Sequence, residues 1–203
     1  MTFTLPAFWQ SEMDEHEAVF KATRQALVEP FEELVMASTA CIKAGGKILF
    51  FGNGGSAADA QHLATELTVR YVTNRAPIAA IALTTDTSAL TAIGNDLGFE
   101  QLFARQVAAL GRKGDVAIAI STSGNSKNVI NAIAECKRLG ITTVAFTGKS
   151  GGEMAGLCDI TLNVPSTTTS RIQEMHITLG QMLCGALEQN LGLVASTKTA
   201  KSA

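Results

Sequence analysis

Short apolar runs alternate with longer segments of helical periodicity over most of the chain. The runs are short and rich in β-branched residues, and helix-length segments separate them. This alternation is typical of β-α units, whose parallel strands are covered by helices on both faces. The pattern therefore predicts an α/β fold with a doubly wound, parallel five-stranded sheet. The predicted strands are "KILFF", "IAAIAL", "DVAIAI", "TTVAFT" and "DITLNV".

Helices are predicted before, between and after these strands. An N-terminal helical extension covers residues 11–44, and we expect a break at Pro30, because proline lacks an amide donor and restricts the residue before it. No composition shift divides the chain, so we predict one domain over residues 1–192. The tail, residues 193–203, lacks apolar periodicity and is predicted to be disordered. The other predicted helices cover residues 56–71, 99–110, 125–139 and about 170–189.

Composition narrows the classes of function. The chain has 203 residues, 46% of them hydrophobic, which is enough for one sizeable core. Its formal net charge of -2 provides no broad basic surface, so we expect no direct contact with nucleic acid. We find no leader and no apolar run that could span a bilayer, and therefore expect no membrane association. A reducing cytoplasm is predicted because no C-x-x-C pair occurs among Cys41, Cys136, Cys158 and Cys184.

Two turns at predicted strand ends are rich in glycine and in polar side chains that can bind a ligand. In open parallel sheets, ligands bind beyond the carboxyl ends of the strands, where the following helices present unpaired N–H groups. The turn "GNGGSA" combines glycines, which let the chain approach a ligand closely, with the polar side chain of Asn53. The turn "STSGNS" surrounds the start of the next helix with four hydroxyls. Together they predict a site for a phosphate monoester, formed by Gly54, Gly55, Ser56, Ser121, Thr122, Ser123 and Ser126.

Two other interpretations of these turns stay open. Serine, threonine, asparagine and glycine are common at strand-to-helix junctions, where they act as ordinary helix caps. Gly52, Gly54 and Ala57 also match G-x-G-x-x-A, the fingerprint of a dinucleotide site. A dinucleotide site needs an acidic residue about 20 positions further on, and Asp86 lies well beyond that. It also leaves "STSGNS" without a role, so we favour a sugar phosphate.

Polar side chains recur on one face of the first predicted β-α helix. Asp59, His62 and Glu66 are spaced i, i+3 and i+7, so they share that face. A carboxylate and an imidazole one turn apart can hold a metal or move protons, although a solvated helix face is the simpler explanation. The last helix carries Gln173 and Gln181 among apolar residues. Asn95 and Asp96, just ahead of another helix, can cap it or bind sugar hydroxyls.

Five motifs in this order resemble the SIS-domain family of sedoheptulose 7-phosphate isomerases, the phosphoheptose isomerases. The resemblance covers about residues 43–187, and the helical extension is similar in kind. It implies a cytoplasmic homotetramer with active sites between subunits, which converts sedoheptulose 7-phosphate to D-glycero-D-manno-heptose 7-phosphate for bacterial lipopolysaccharide or capsule. The motifs are "GNGGSAADAQH", "ALTTDTSALTAIGNDLGF", "STSGNS", "FTGKSGGEMAGLCD" and "RIQEMHI".

The resemblance also implies roles for individual residues. Glu66 would be the base that moves a proton between C1 and C2 through an enediol. The phosphate would lie among Ser56, Ser121, Thr122, Ser123 and Ser126. The sugar would be held by Asn53, Asp96 and Gln173, with Asn95 beside them. In many members a zinc ion is bound, which here would involve His62, Glu66, Gln173 and position 181.

Position 181 is where the chain departs from the family pattern. The pattern has a histidine there, the second zinc ligand and the acid-base partner of Glu66, whereas this chain has Gln181. A glutamine offers a carbonyl oxygen to a metal but cannot exchange a proton near neutral pH. The loop "STTTSRIQ" also lacks an aspartate that some members carry before the arginine.

Three interpretations follow from this departure. The chain is an active isomerase in which water, a hydroxyl or His62 replaces the lost histidine. Alternatively, it is a non-catalytic phosphosugar-binding or replication-initiator-associating protein of the same fold, although those relatives also lose the glutamate that this chain keeps as Glu66. In the third interpretation, the histidine at position 181 was replaced artificially. We favour the isomerase, because Glu66 and the complete "GNGGS" turn are both present.

Overall fold

The computed structural model describes residues 3–195 and contains seven α-helices and five strands within that range. Two helices precede the first strand, and a long helix follows the last. The helices are α1 (Leu5–Ala26), α2 (Val28–Lys43), α3 (Gly55–Thr68), α4 (Thr87–Asp96), α5 (Ala104–Leu110), α6 (Lys127–Leu139) and α7 (Thr169–Asn190). The strands are β1 (Ile48–Gly52), β2 (Ala80–Ala82), β3 (Val116–Ile120), β4 (Thr142–Gly148) and β5 (Ile160–Val164).

All five strands are parallel, in the order β2-β1-β3-β4-β5. The prediction of a doubly wound, parallel five-stranded sheet is therefore confirmed. After β1 the chain moves outward to β2, and it then returns to place β3 on the other side of β1. The direction of winding thus reverses between β1 and β3, and open α/β sheets bind their ligands at such reversal points. The turns "GNGGSA" and "STSGNS" directly follow these two strands.

Each face of the sheet packs against its own buried apolar cluster. One cluster joins strand residues such as Phe50 and Ile118 to side chains of α2, α3 and α7, among them Leu63 and Leu183. The other joins the opposite strand residues, such as Phe51, to α4, α5 and α6. Strands buried on both faces are expected to be continuously apolar, and the residues of β1 and β3 are buried throughout.

Several predicted helix boundaries are wrong for local reasons. The N-terminal extension breaks at Leu27, and Pro30 lies in the first turn of α2, where its missing N–H has no helical partner to lose. Helix α4 was not predicted over its range, and the predicted helix 99–110 begins as a 3₁₀ turn before α5. Residues 196–203, most of the tail predicted to be disordered, lie outside the described residues. The domain boundary at residue 192 stays a prediction.

Candidate active site

The turn after β3 arranges hydroxyls around the N-terminus of α6. The Oγ of Ser121 lies 3.1 Å from the Oγ of Ser126 and 3.5 Å from the Oγ of Ser123. Ser126 is the N-cap of α6, yet its hydroxyl makes no capping hydrogen bond. The first N–H groups of a helix have no partner within the helix and carry partial positive charge. Hydroxyls that pair only with one another and with the Asn125 N–H, beside such helix N–H groups, form a site suited to a phosphate, and Thr122 belongs to the same turn.

A pair of amides ties this turn to the turn after β1. The Nδ2 of Asn53 donates to the Oδ1 of Asn128 at 2.9 Å, and the Nδ2 of Asn128 donates back to the Oδ1 of Asn53 at 2.8 Å. Asn128 is buried in the first turn of α6. Each amide keeps one N–H and one lone pair for a ligand. Asn128 was not predicted from the sequence, although a polar amide two residues after "STSGNS" was a usable signal.

The turn after β1 needs the backbone that its glycines provide. Gly54 has a φ of 58°, in the left-handed region that favours glycine, and it is the N-cap of α3. The following Gly55 faces the side chain of Gln173, since a Cβ at Gly55 would lie 2.9 Å from the Nε2 of Gln173. Ser56 is only 4% exposed. The predicted residues Gly54, Gly55 and Ser56 thus lie together, with Gln173 of α7 beside them.

Helices α3 and α7 lie side by side and approach closely at Gly180. A Cβ at Gly180 would lie 2.4 Å from the Cδ1 of Leu63, so a larger residue would force the Leu63 side chain or the helices to shift. One residue after Gly180, the Nε2 of Gln181 lies 3.2 Å from the Nε2 of His62. The predicted juxtaposition of Gln181 with the polar face of α3 is therefore present in the structure.

His62 lies at the centre of a three-residue polar group. Its Nε2 is 3.1 Å from the Oε1 of Glu66 as well as 3.2 Å from the Gln181 amide. The side chains of His62 and Glu66 are 53% and 20% exposed, so both are open to solvent. A single ring nitrogen cannot donate to a carboxylate and accept from an amide at the same time. The His62 Nε2 can therefore pair with only one of the two groups at a time, donating to the Glu66 carboxylate or accepting from the Gln181 amide.

The same group provides a limited set of metal ligands. Within residues 3–195 there is no cluster of three or more His, Cys, Asp or Glu side chains that could hold a metal ion. His62 and Glu66 are both ordinary zinc ligands, and the Gln181 carbonyl oxygen could act as a third. Gln173 lies beside Gly55, seven residues before His62 along α3, which corresponds to about 10 Å. Within one chain, Gln173 therefore lies about two turns of α3 away from His62, and its place in the ligand set stays a prediction.

Asn95 and Asp96 occupy a different face of the sheet. They are the last two residues of α4, and the Nδ2 of Asn95 donates to the Oδ1 of Asp96 at 2.7 Å. Helix α4 packs through Ile93 on the cluster opposite to α3 and α7. The expectation that they cap a following helix is therefore wrong, since they end α4, whose own N-cap is Asp86. Within a single chain, Asn95 and Asp96 therefore do not lie beside His62 and Glu66.

The other titratable residues near α3 and α7 are buried or paired within the fold. His176 is buried, its Nε2 pairs with the carbonyl oxygen of Thr147 at 3.0 Å, and burial lowers its pKa to about 4. It is therefore a neutral histidine of the core. His16 pairs with Glu174 at 2.7 Å. Burial raises the pKa of Asp59, and His62 lowers it to a smaller extent.

A family model and a solved structure define the class of protein. A family model described as the SIS domain matches residues 13–148. The structure of the phosphoheptose isomerase GmhA from Neisseria gonorrhoeae is 46% identical in sequence, with a TM-score of 0.87. The match covers 92% of this chain and all of the Neisseria chain. The doubly wound sheet with hydroxyl turns at its reversal point is therefore that of a SIS-domain protein.

Closer relatives define the family within that class. A phosphoheptose isomerase from Paramagnetospirillum magneticum is 55% identical over 181 residues, which span 89% of this chain and 94% of the relative. A phosphoheptose isomerase structure from Francisella tularensis is 37% identical, covers 92% of this chain and all of its own, and has a TM-score of 0.89. This chain belongs to the phosphoheptose isomerase family.

Proposed function

We propose that this chain is an aldose-ketose isomerase that converts sedoheptulose 7-phosphate to D-glycero-D-manno-heptose 7-phosphate, the first step of bacterial heptose synthesis. The observation that carries this proposal is the position of the Glu66 carboxylate. It is partly exposed, 3.1 Å from an imidazole, on a helix that begins at the glycine turn. A phosphate held at the turns would direct the sugar carbons along α3 and α7 towards Glu66.

Glu66 would carry the proton between the two carbons. Its carboxylate removes the proton from C1 of the ketose, and the electrons form the C1–C2 double bond of an enediol. The protonated Glu66 then returns a proton to C2, either the one it removed or one exchanged with solvent. The hydroxyl proton at O1 leaves as the aldehyde forms, and O2 gains a proton, so no oxidant or reductant is needed. Because Gln181 cannot exchange a proton, His62 or water would carry the proton between the oxygens.

We also propose that zinc, where it binds, is held by His62 and Glu66 with Gln181 as a weak third ligand. When bound, zinc would polarise the sugar oxygens as a Lewis acid. Two strong ligands are fewer than the three protein ligands typical of catalytic zinc sites. We therefore expect the affinity for zinc to be low in this chain.

A non-catalytic phosphosugar-binding protein is the second candidate, and the amide of Gln181 facing His62 favours it. Turnover distinguishes the two. The purified protein should convert sedoheptulose 7-phosphate to the aldose, as followed by NMR. Binding of the sugar phosphate without conversion, at any pH from 6 to 9 and with zinc supplied, would favour the binding protein. Capture of a replication initiator would point to the replication-associated relatives instead.

The serine turn is expected to determine substrate affinity. Ser121→Ala and Ser126→Ala should each raise KM about tenfold with little change in kcat, because each loses a hydrogen bond to a charged group. Neither change removes a helix cap, since the Ser126 hydroxyl makes no capping bond. Steady-state kinetics on sedoheptulose 7-phosphate measures the effect. Ser11→Ala, which removes an exposed hydroxyl on α1, serves as the control, and an unchanged KM in both turn variants would contradict this assignment.

We further propose that the chain forms a homotetramer whose sites include residues from neighbouring subunits. An apolar groove of about 400 Å³ runs between α1, α2 and α7 and is lined by Phe20, Leu27, Val28, Phe31, Leu179 and Met182. A second subunit covering it would remove this apolar surface from water. A neighbouring subunit could also bring Asn95 and Asp96 to the site.

Phe20→Glu should therefore break the assembly. A carboxylate buried against the apolar groove would be costly, so sedimentation velocity should show smaller particles than the parent. The activity per chain should fall in parallel if neighbouring subunits complete each site. A parent protein that sediments as a monomer would contradict the tetramer.

We also propose that the protein works in a reducing cytoplasm, since its four cysteines are free. Among the described residues, none of the helices is long and apolar enough to cross a membrane.

A further inference from the structure

Glu66, the proposed base, lies in the last turn of its helix. Helix α3 ends at Thr68, and the chain from residue 69 to residue 79 has no helix or strand. The last four carbonyl groups of a helix lack partners within it, and terminal turns fray easily. Helix α3 has no basic residue in its last turn. A base that must stay within hydrogen-bond distance of His62 therefore needs support from outside the helix.

The side chain of Arg75 provides that support. Its Nη2 donates to the carbonyl oxygen of Glu66 at 2.7 Å, and its Nη1 donates to the carbonyl oxygen of Leu67 at 2.7 Å. Both carbonyls belong to the end of α3 that lacks partners within the helix and carries partial negative charge. The Leu67 carbonyl also accepts the N–H of Ile78, whereas Arg75 is the partner of the Glu66 carbonyl. The Arg75 side chain is 1% exposed. The planar guanidinium thus caps the turn that carries the base, from a position nine residues further along the chain.

The same guanidinium connects α3 to α7. The Nε of Arg75 donates to the Oε1 of Glu188 at 2.8 Å, and that carboxylate, 4% exposed, also accepts the backbone N–H of Tyr71 at 3.2 Å. Glu188 lies seven residues, or two turns, after Gln181, so both face α3. One buried ion pair therefore fixes the two helices that carry Glu66 and Gln181.

We propose that Arg75 and Glu188 are positioning residues for the isomerisation: their ion pair holds the last turn of α3 so that the Glu66 carboxylate stays aligned with His62 and the substrate carbons. This inference rests on the proposed function of Glu66. Neither residue touches the substrate. A lysine at position 75 would keep the charge but could not span two carbonyls and Glu188, because it lacks the planar fork of arginine.

Arg75→Lys should lower kcat about 10- to 100-fold while KM changes less than about twofold, since small displacements of a catalytic group are costly to the chemical step. Glu188→Gln, which keeps an acceptor for the Tyr71 amide, should have the same effect and replaces Arg75→Lys if that variant does not fold. Ile133→Ala, in the buried cluster on the other face of the sheet, is a matched destabilised control. It should lower the melting temperature and leave kcat unchanged.

A second readout does not depend on turnover. The ¹⁵N chemical shifts of the His62 ring report its contact with Glu66, and they should change in Arg75→Lys and Glu188→Gln but not in Ile133→Ala. Unchanged shifts, or a kcat equal to that of the parent in both variants, would overturn the positioning role. Absence of turnover in both the parent and Gln181→His would refute the proposed function, and the His62 shifts would still decide whether the ion pair positions Glu66.

Discussion

Glu66→Gln is expected to lower kcat by about 100- to 10,000-fold and to leave the affinity for sedoheptulose 7-phosphate within a few fold. General acid-base groups contribute rate factors of this size. The substitution keeps the shape of the side chain and one oxygen that can face His62, but the amide cannot accept a carbon-bound proton. Proton exchange from C1 into deuterated water, followed by NMR, should disappear together with turnover.

The comparison with serine variants separates the role of Glu66 from substrate binding. Ser121→Ala should weaken binding and keep proton exchange, whereas Glu66→Gln should keep binding and lose proton exchange. Calorimetry with the sugar phosphate measures the binding side of this comparison. Turnover by Glu66→Gln at the rate of the parent would show that another group removes the proton, and the assignment of Glu66 would then be wrong.

The sequence was sufficient to predict the sheet because its strands are buried on both faces. Runs such as "DVAIAI" must be continuously apolar to pack between two helical layers, so they are recognisable without any partner. The break at Leu27 was not predictable in the same way, since proline in a first helical turn costs little. Helix α4 is short, and Asn95 and Asp96 were interpreted as caps of a following helix or as sugar-binding residues, not as the end of a helix of their own.

Site residues that directly follow a strand were predictable from the sequence. Site residues that meet only through the packing of helices were less so. The hydroxyls of "STSGNS" can be assigned to one helix start from the sequence alone. Asn53 contacts Asn128, which is 75 positions further along the chain. Arg75 contacts Glu188, which is 113 positions further along. Only the packing of the helices on the sheet brings such pairs together. Gln173 was predicted to bind the sugar and the metal, and its position beside Gly55 became visible only in the structure.

Gln181→His should raise kcat about 100-fold or more, because it supplies a group that exchanges protons near neutral pH directly beside His62. The Nε2 of Gln181 already lies 3.2 Å from the Nε2 of His62, so an imidazole at position 181 reaches the same region without moving α7. A second imidazole would also add a third strong zinc ligand to His62 and Glu66. Zinc content after dialysis against buffered zinc should therefore rise towards one per subunit.

Gln181→Ala is the matched control, since it removes the amide without adding a proton carrier and should show no gain in kcat or zinc. If the parent turns over slowly and Gln181→His turns over faster, the fold already positions Glu66 and lacks only its partner. If the parent is inactive and Gln181→His is fully active, the chain as it stands binds sugar phosphate without converting it. A fully active parent that gains nothing from the histidine would show that His62 or water moves the oxygen-bound proton efficiently, and the family histidine would then be dispensable in this site.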